Sequence, residues 1–132
     1  MSLKLIGIVL ASIIGFAQPA VPAHEPGDLW RMIRGALITA EGDRYFQQIK
    51  DAQIPPGPER FSGSVVSQSS PNELIVNVDD PAGDAILWLL IAVKKPIAVG
   101  APVHFEGVVR AYSRNPYKLT IEVLPEEIEG LY

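Results

Sequence analysis

Polar and apolar positions alternate in the second half of the chain and follow a helical period in the first. "ELIVNVDD" puts Leu74, Val76 and Val78 on one side of an extended segment and Glu73, Asn77 and Asp79 on the other, the two-residue period of a strand with one buried face. "YKLTIEV" repeats the pattern, with Tyr117, Leu119, Ile121 and Val123 inward. In "VHFEGVVRAY", Val103, Phe105, Gly107, Val109 and Ala111 share one face, and His104, Glu106, Val108, Arg110 and Tyr112 share the opposite one. "RFSGSVVSQSS" predicts a further strand, bent at Gly63 and closed by a polar turn at Ser69, Ser70, Pro71 and Asn72. "AILWLLIAV", residues 85–93, does not alternate at all. Such a run between turn signals predicts a strand covered on both faces, and it is too short to cross a membrane as a helix.

Ahead of the strands, "GDLWRMIRGAL" offers Asp28 as an N-cap and spaces Leu29, Trp30, Ile33 and Leu37 along one side of a helix. Thr39 can cap a second helix, "AEGDRYFQQIKDA", with Glu41 and Asp43 in its first turn, where the helix dipole favours negative charge. Tyr45, Phe46, Ile49 and Ala52 then fall on one face, and Arg44, Gln47, Gln48, Lys50 and Asp51 largely on the other. "IPPGPER" stops the helix. The Tyr45, Phe46 and Ile49 face is the expected cover for the 85–93 run, because it is apolar and has no other obvious destination. The alternative is a recognition helix that presents these aromatic residues to a partner.

Five strands with corners at Gly63 and Gly107, the long fourth paired to the fifth, predict a mainly β fold. The expected architecture is a five-stranded OB-like Greek-key barrel over residues 59–132, preceded by a two-helix segment at 24–58. An open five-stranded sheet packed on two helices fits the same pattern.

The first 23 residues read differently. Lys4 is their one charge, followed by an apolar run over 5–17 and by Gln-Pro-Ala-Val-Pro-Ala, the layout of a secretory signal peptide with cleavage after Ala23 or Ala17. Retention of residues 5–23 as a membrane anchor is the rival reading, although Pro19 and Pro22 shorten the useful helix. A buried helix of a cytosolic protein is the third. Export implies a periplasmic or secreted protein, and retention a membrane-anchored one.

Composition narrows the chemistry. A chain of 132 residues with a net charge of -4 is of single-domain size and has no whole-molecule attraction for nucleic acid or anionic lipid. With no cysteine, disulfides and thiolate metal sites are excluded. No Gly-Xaa-Ser-Xaa-Gly elbow, phosphate loop or His-Glu-Xaa-Xaa-His helix is present, so no motif points to catalysis. His104 and Glu106 share a strand face, but two such ligands are common by chance, and no metal or cofactor is expected. The pairs Asp79-Asp80 and Glu126-Glu127 fall in turn or tail positions and read as solvated surface.

"LITAEGDRYFQQIKDAQIPPGPERFSGSVVSQ" followed by "PVHFEGVVRAYSRNPYKLTIEV" resembles an OB-like module of exported bacterial proteins, often placed behind tetratricopeptide repeats. Gly42 with Tyr45 and Phe46, the Pro55-Pro56 break, and Phe105-Glu106-Gly107 with Pro116 and Leu119-Thr120 carry the likeness, which covers residues 28–131. The stretch before Trp30 holds the leader-like run and a Pro-rich spacer in place of repeats. The resemblance implies no catalytic residues.

Binding therefore leads the expectations. The fold implied is that of a non-enzymatic binding or assembly module of the bacterial cell envelope, acting on another envelope protein or on itself. Arg110, Tyr112, Arg114, Tyr117 and Lys118 place cations and rings around the last hairpin, the chemistry of a stacking platform for a glycan or an oligonucleotide. Six basic residues against six acids over 60–124 make nucleic acid the weaker of those two ligands. A retained N-terminal helix would instead make the domain an accessory subunit of a membrane complex.

Overall fold

The computed structural model describes residues 25–132; the expected leader or anchor at 1–23 lies outside the described residues. Two short helices precede a single curled sheet of eight strands. Helix α1 (Pro26–Leu37) starts at a proline, whose missing N–H costs nothing in a first turn, so Glu25 is the N-cap residue and Asp28 lies inside the helix. Trp30, Ile33 and Leu37 are its buried stripe, as their spacing predicts. Helix α2 (Gly42–Ile49) is shorter than the expected 40–52. Thr39 Oγ1 accepts from Glu41 N at 3.2 Å and donates to Ala36 O at 2.8 Å. The hydroxyl thus closes the turn between the helices.

The strands are β1 (Gln53–Ile54), β2 (Phe61–Ser70), β3 (Glu73–Asn77), β4 (Ala85–Leu89), β5 (Pro102–Phe105), β6 (Gly107–Arg114), β7 (Tyr117–Val123) and β8 (Ile128–Glu129). They lie in the order β1-β6-β7-β4-β3-β2-β5-β8, and every pair is antiparallel except β4 with β7. The count is eight where five were expected, for two reasons. The long fourth strand breaks at Glu106 into β5, which pairs with β2, and β6, which pairs with β7. Two-residue strands, β1 and β8, then finish the two margins. The bend needs glycine: a Cβ on Gly107 would lie 2.3 Å from Glu122 O and 2.6 Å from Ile121 Cγ2. Gly63 is as tightly placed, with Asn77 O 2.5 Å from where its Cβ would be.

The core is filled from α1. Trp30 meets Phe61 edge-on at 5.0 Å between ring centroids and Phe105 at 6.4 Å, and all three are fully buried. Its indole N–H donates to Asp84 Oδ2 at 2.6 Å. Asp84 is the one buried charged side chain among the described residues, and its other oxygen accepts from Val78 N at 3.0 Å and Asp79 N at 3.4 Å. A fully donated carboxylate of this kind is compatible with burial, and it fastens α1 to the loop that leads into β4.

The expected cover for residues 85–93 is not found there. The apolar face of α2 packs on β6, where Phe46 lies 4.9 Å from Tyr112. The strand itself ends at Leu89 and alternates: Ala85, Leu87 and Leu89 are buried, while Trp88 is 47% exposed. Leu90 and Ile91 beyond it are exposed too, and Val93 is buried again. Hydrogen-bonded between β3 and β7, β4 has to turn alternate side chains outward; Ile86 on that side is half-buried and Trp88 is left exposed. Among the described residues no helix is long and apolar enough to cross a membrane.

Candidate functional site

The hairpin of β6 and β7 carries the five candidate ligand-binding residues, and four of them are bonded within the chain. Arg110 donates from Nε to Glu122 Oε1 at 2.9 Å and from a terminal nitrogen to Asp51. The hydrogen bond to Glu122, and then that to Asp51, raises its pKa further. Tyr112 donates its hydroxyl to Asp43 of α2, and this bond, followed by desolvation, raises its pKa above the usual phenol value. Arg114 donates to Thr39 O at 2.9 Å and lies 3.5 Å from the Asp43 carboxylate. Lys118 donates to Gly83 O, on the loop ahead of β4.

Tyr117 differs from the other four. It faces inward, its ring 5.9 Å from the Arg34 guanidinium carbon. Its hydroxyl is buried without a hydrogen-bond partner among the described residues, and burial, with Asp84 adding to it, drives its pKa strongly upward. The structure therefore brings Arg110, Tyr112 and Arg114 together as a clamp on α2 and the turns at its two ends. It does not gather all five on one open surface.

His104 and Glu106 have separate partners as well. His104 Nδ1 lies 2.9 Å from Ser62 Oγ, and Glu106 pairs with Arg60 at 3.3 Å. Among the described residues no group of three or more histidine, aspartate and glutamate side chains is placed to hold a metal ion. The groove of about 480 Å³ beside α1 is walled mainly by Leu29 and prolines, with Glu25 and Glu59 as its charged lining.

The exposed chemistry lies on β4. Register sets Trp88 directly between Glu73 of β3 and Glu122 of β7, so an indole stands flanked by two carboxylates on the sheet's outward face. One rung earlier, Ile86 stands between Ile75 and Thr120. Beyond the strand, Leu90 N donates to Val123 O at 3.0 Å, which carries the pairing on and sets Leu90 beside Leu124. Ile91 follows, 55% exposed, and Val93 N donates to Pro71 O at 2.9 Å as the chain crosses the β2–β3 turn. Lys94 and Lys95 come next, both exposed.

The sequence marks the 85–93 run as either sealed by the helices or a contact surface, but it does not pick out Trp88, Leu90, Ile91 and Leu124 as its exposed residues. An unbroken apolar run carries no period, so nothing in "AILWLLIAV" separates the positions that face water from those that face the core. The only available signal is length, since the segment outruns the partner strand "ELIVN".

Compared with protein-family models, curated proteins and solved structures, the chain finds no match.

Proposed function

We propose that the chain is a non-enzymatic binding or assembly module that works by protein–protein contact through the outward face of β4. The observation that carries this reading is the exposure, side by side, of Trp88, Leu90, Ile91 and Leu124. Contiguous exposed apolar groups around an aromatic anchor are the usual centre of a protein interface, and monomers seldom leave them bare. The rival reading, a glycan or oligonucleotide held by the last hairpin, has less to stand on. The cations it needs already serve Asp43, Asp51, Glu122 and backbone carbonyls.

The OB-like barrel belongs to the same proposal. The run β2-β3-β4-β7-β6, with β5 and β6 as two halves of one bent strand and β5 returning to β2, is the support for five principal strands. Placement in the bacterial envelope rests on the leader-like residues 1–23. The intact mass of the protein in soluble and membrane fractions tests it. A soluble species shortened by the leader is expected, and a full-length species held in the membrane would make the domain an accessory part of a membrane assembly.

Capture from an envelope extract tests the surface. Wild-type protein should retain a partner, or its own copies, that Trp88→Ser with Ile91→Ser loses while melting at the same temperature. Equal retention by both forms would contradict the assignment of the surface to β4.

A further inference from the structure

Residues 55–59 join β1 to β2 and face the start of α1 across the groove of about 480 Å³. Three of these five residues are prolines, which have no N–H to donate. The carbonyls of Pro55, Pro56, Gly57 and Pro58 accept no hydrogen bond among the described residues. The first turn of α1 adds few donors, because Pro26 has none and Asp28 N and Leu29 N both donate to Glu25 O, at 2.9 and 3.3 Å. Glu25 and Glu59, both exposed, complete the lining, and neither has an ion pair among the described residues. The groove thus joins an apolar wall to a surplus of acceptors.

A second cleft, of about 460 Å³, continues from the first, since Pro58 and Glu59 line both. Arg60, His104, Glu106 and Glu129 complete it. Arg60 is held there by Glu106 at 3.3 Å and Glu129 at 3.7 Å. Across the two clefts four glutamates stand against a single arginine and a histidine, so negative charge is in excess. Each volume falls in the range of ligand pockets, about 300–1,000 Å³. We infer that this trough is a docking site for an extended basic segment of a partner protein, with an arginine or lysine at Glu59 and an apolar residue against Leu29 and the prolines. A guanidinium or ammonium on an alkyl stem answers both features of the lining, with donors for the acceptors and methylenes for the apolar wall. Two clefts in series fit a chain better than one compact cation, and a wall of prolines needs little ordering on binding.

Nuclear magnetic resonance on isotope-labelled protein, as recovered from expressing cells, reads the place and the affinity together. The probe is a capped hexapeptide of alternating leucine and arginine, and its control alternates leucine and glutamate. The arginine peptide should shift the backbone amides of Leu29, Gly57 and Glu59 first, with an affinity that falls as salt is added. Glu25→Gln with Glu59→Gln keeps the shape of both side chains and should weaken binding by about tenfold or more. Gly57→Arg should weaken it as well. A Cβ on Gly57 meets nothing within 4 Å, and an arginine there offers the trough a cation of its own. All three positions are exposed, so melting temperatures should stay close to wild type.

The trough shares no residue with the β4 surface, so failure of either leaves the other standing. No binding of the arginine peptide up to about 1 mM overturns the inference. So does equal binding of the glutamate control, or an affinity that the glutamine variant leaves unchanged. Shifts that gather on Trp88 and Leu90 would place the peptide on β4 and remove the trough. Shifts of Leu29 and Gly57 that arise on concentrating the protein alone would give the trough to a second copy, and spermidine binding as tightly as the peptide would give it to a small amine. Either result contradicts a peptide site.

Discussion

Asp84 and Tyr117 show how much the identity of one buried polar atom decides. The Asp84 carboxylate receives the Trp30 N–H and two backbone N–H groups. Asp84→Ala would leave the Trp30 donor buried and unanswered, and two half-buried backbone donors without their partner. A loss of about 3 kcal/mol of stability is expected in a denaturant titration. Tyr117 is the opposite case, since its buried hydroxyl has no partner among the described residues. Tyr117→Phe should gain about 1 kcal/mol at neutral pH.

The same substitution should change the alkaline limb of the stability curve. The pKa of Tyr117 is raised by folding from its ordinary 10.0. The folded chain therefore holds that proton more tightly than the unfolded one. Its contribution is complete below pH 10.0 and is lost as pH climbs toward the folded value. Wild type should lose stability above pH 10.0 more steeply than Tyr117→Phe. Denaturation curves on either side of that pH measure the difference, and parallel curves would contradict it. None of this is legible in the sequence. Asp84 reads there as one acid of the turn "DDPAGD", and the indole that accounts for its burial is 54 residues away.

Among the elements, strands with an intact period are legible and strands without one are not. "ELIVN" and "YKLTIEV" bury the residues their alternation selects, because one face of each lies on the core. The 85–93 run hides which of its faces is covered, and the Tyr45, Phe46 and Ile49 stripe of α2 names no destination. Sequence period reports that a face is apolar and not what it meets. The Phe46–Tyr112 contact and the hydrogen bonds of Tyr112 and Arg114 to Asp43 and Thr39 show that α2 belongs to the hairpin. Tyr112→Phe with Arg114→Ala should speed amide exchange in α2 well before the sheet, as a locally held element opens first. Uniform loss of protection across β3, β4 and β7 would contradict that division.

Gly107 can be read in the sequence as a corner, and the structure gives the reason in the 2.3 Å approach to Glu122 O. Neither backbone atom nor Ile121 can withdraw cheaply. Gly107→Ala should cost about 3 kcal/mol or prevent folding, against a small effect at exposed Gly57, where a Cβ would meet nothing within 4 Å. Comparing the melting temperatures of the two alanine variants is the measurement.

At the scale of the whole molecule, the described residues form one curled sheet, plugged by α1 and clamped by α2, with Trp88 exposed on the outward side of β4. Its marginal strands are short and its hairpin cations are bonded within the chain, and the exposed apolar ground from Trp88 to Ile91 is the surface the proposed contact uses. The two tryptophans make that claim directly measurable: Trp30 is fully buried, and Trp88 is half exposed. Quenching of tryptophan fluorescence by a neutral solute therefore reports on Trp88 nearly alone. Followed as protein concentration rises from about 1 to 100 μM and again as the captured envelope partner is added, the quenching constant should fall as the contact covers the indole. A constant that stays the same in both series, with Trp88 as open to solvent at the top as at the bottom, would contradict the account.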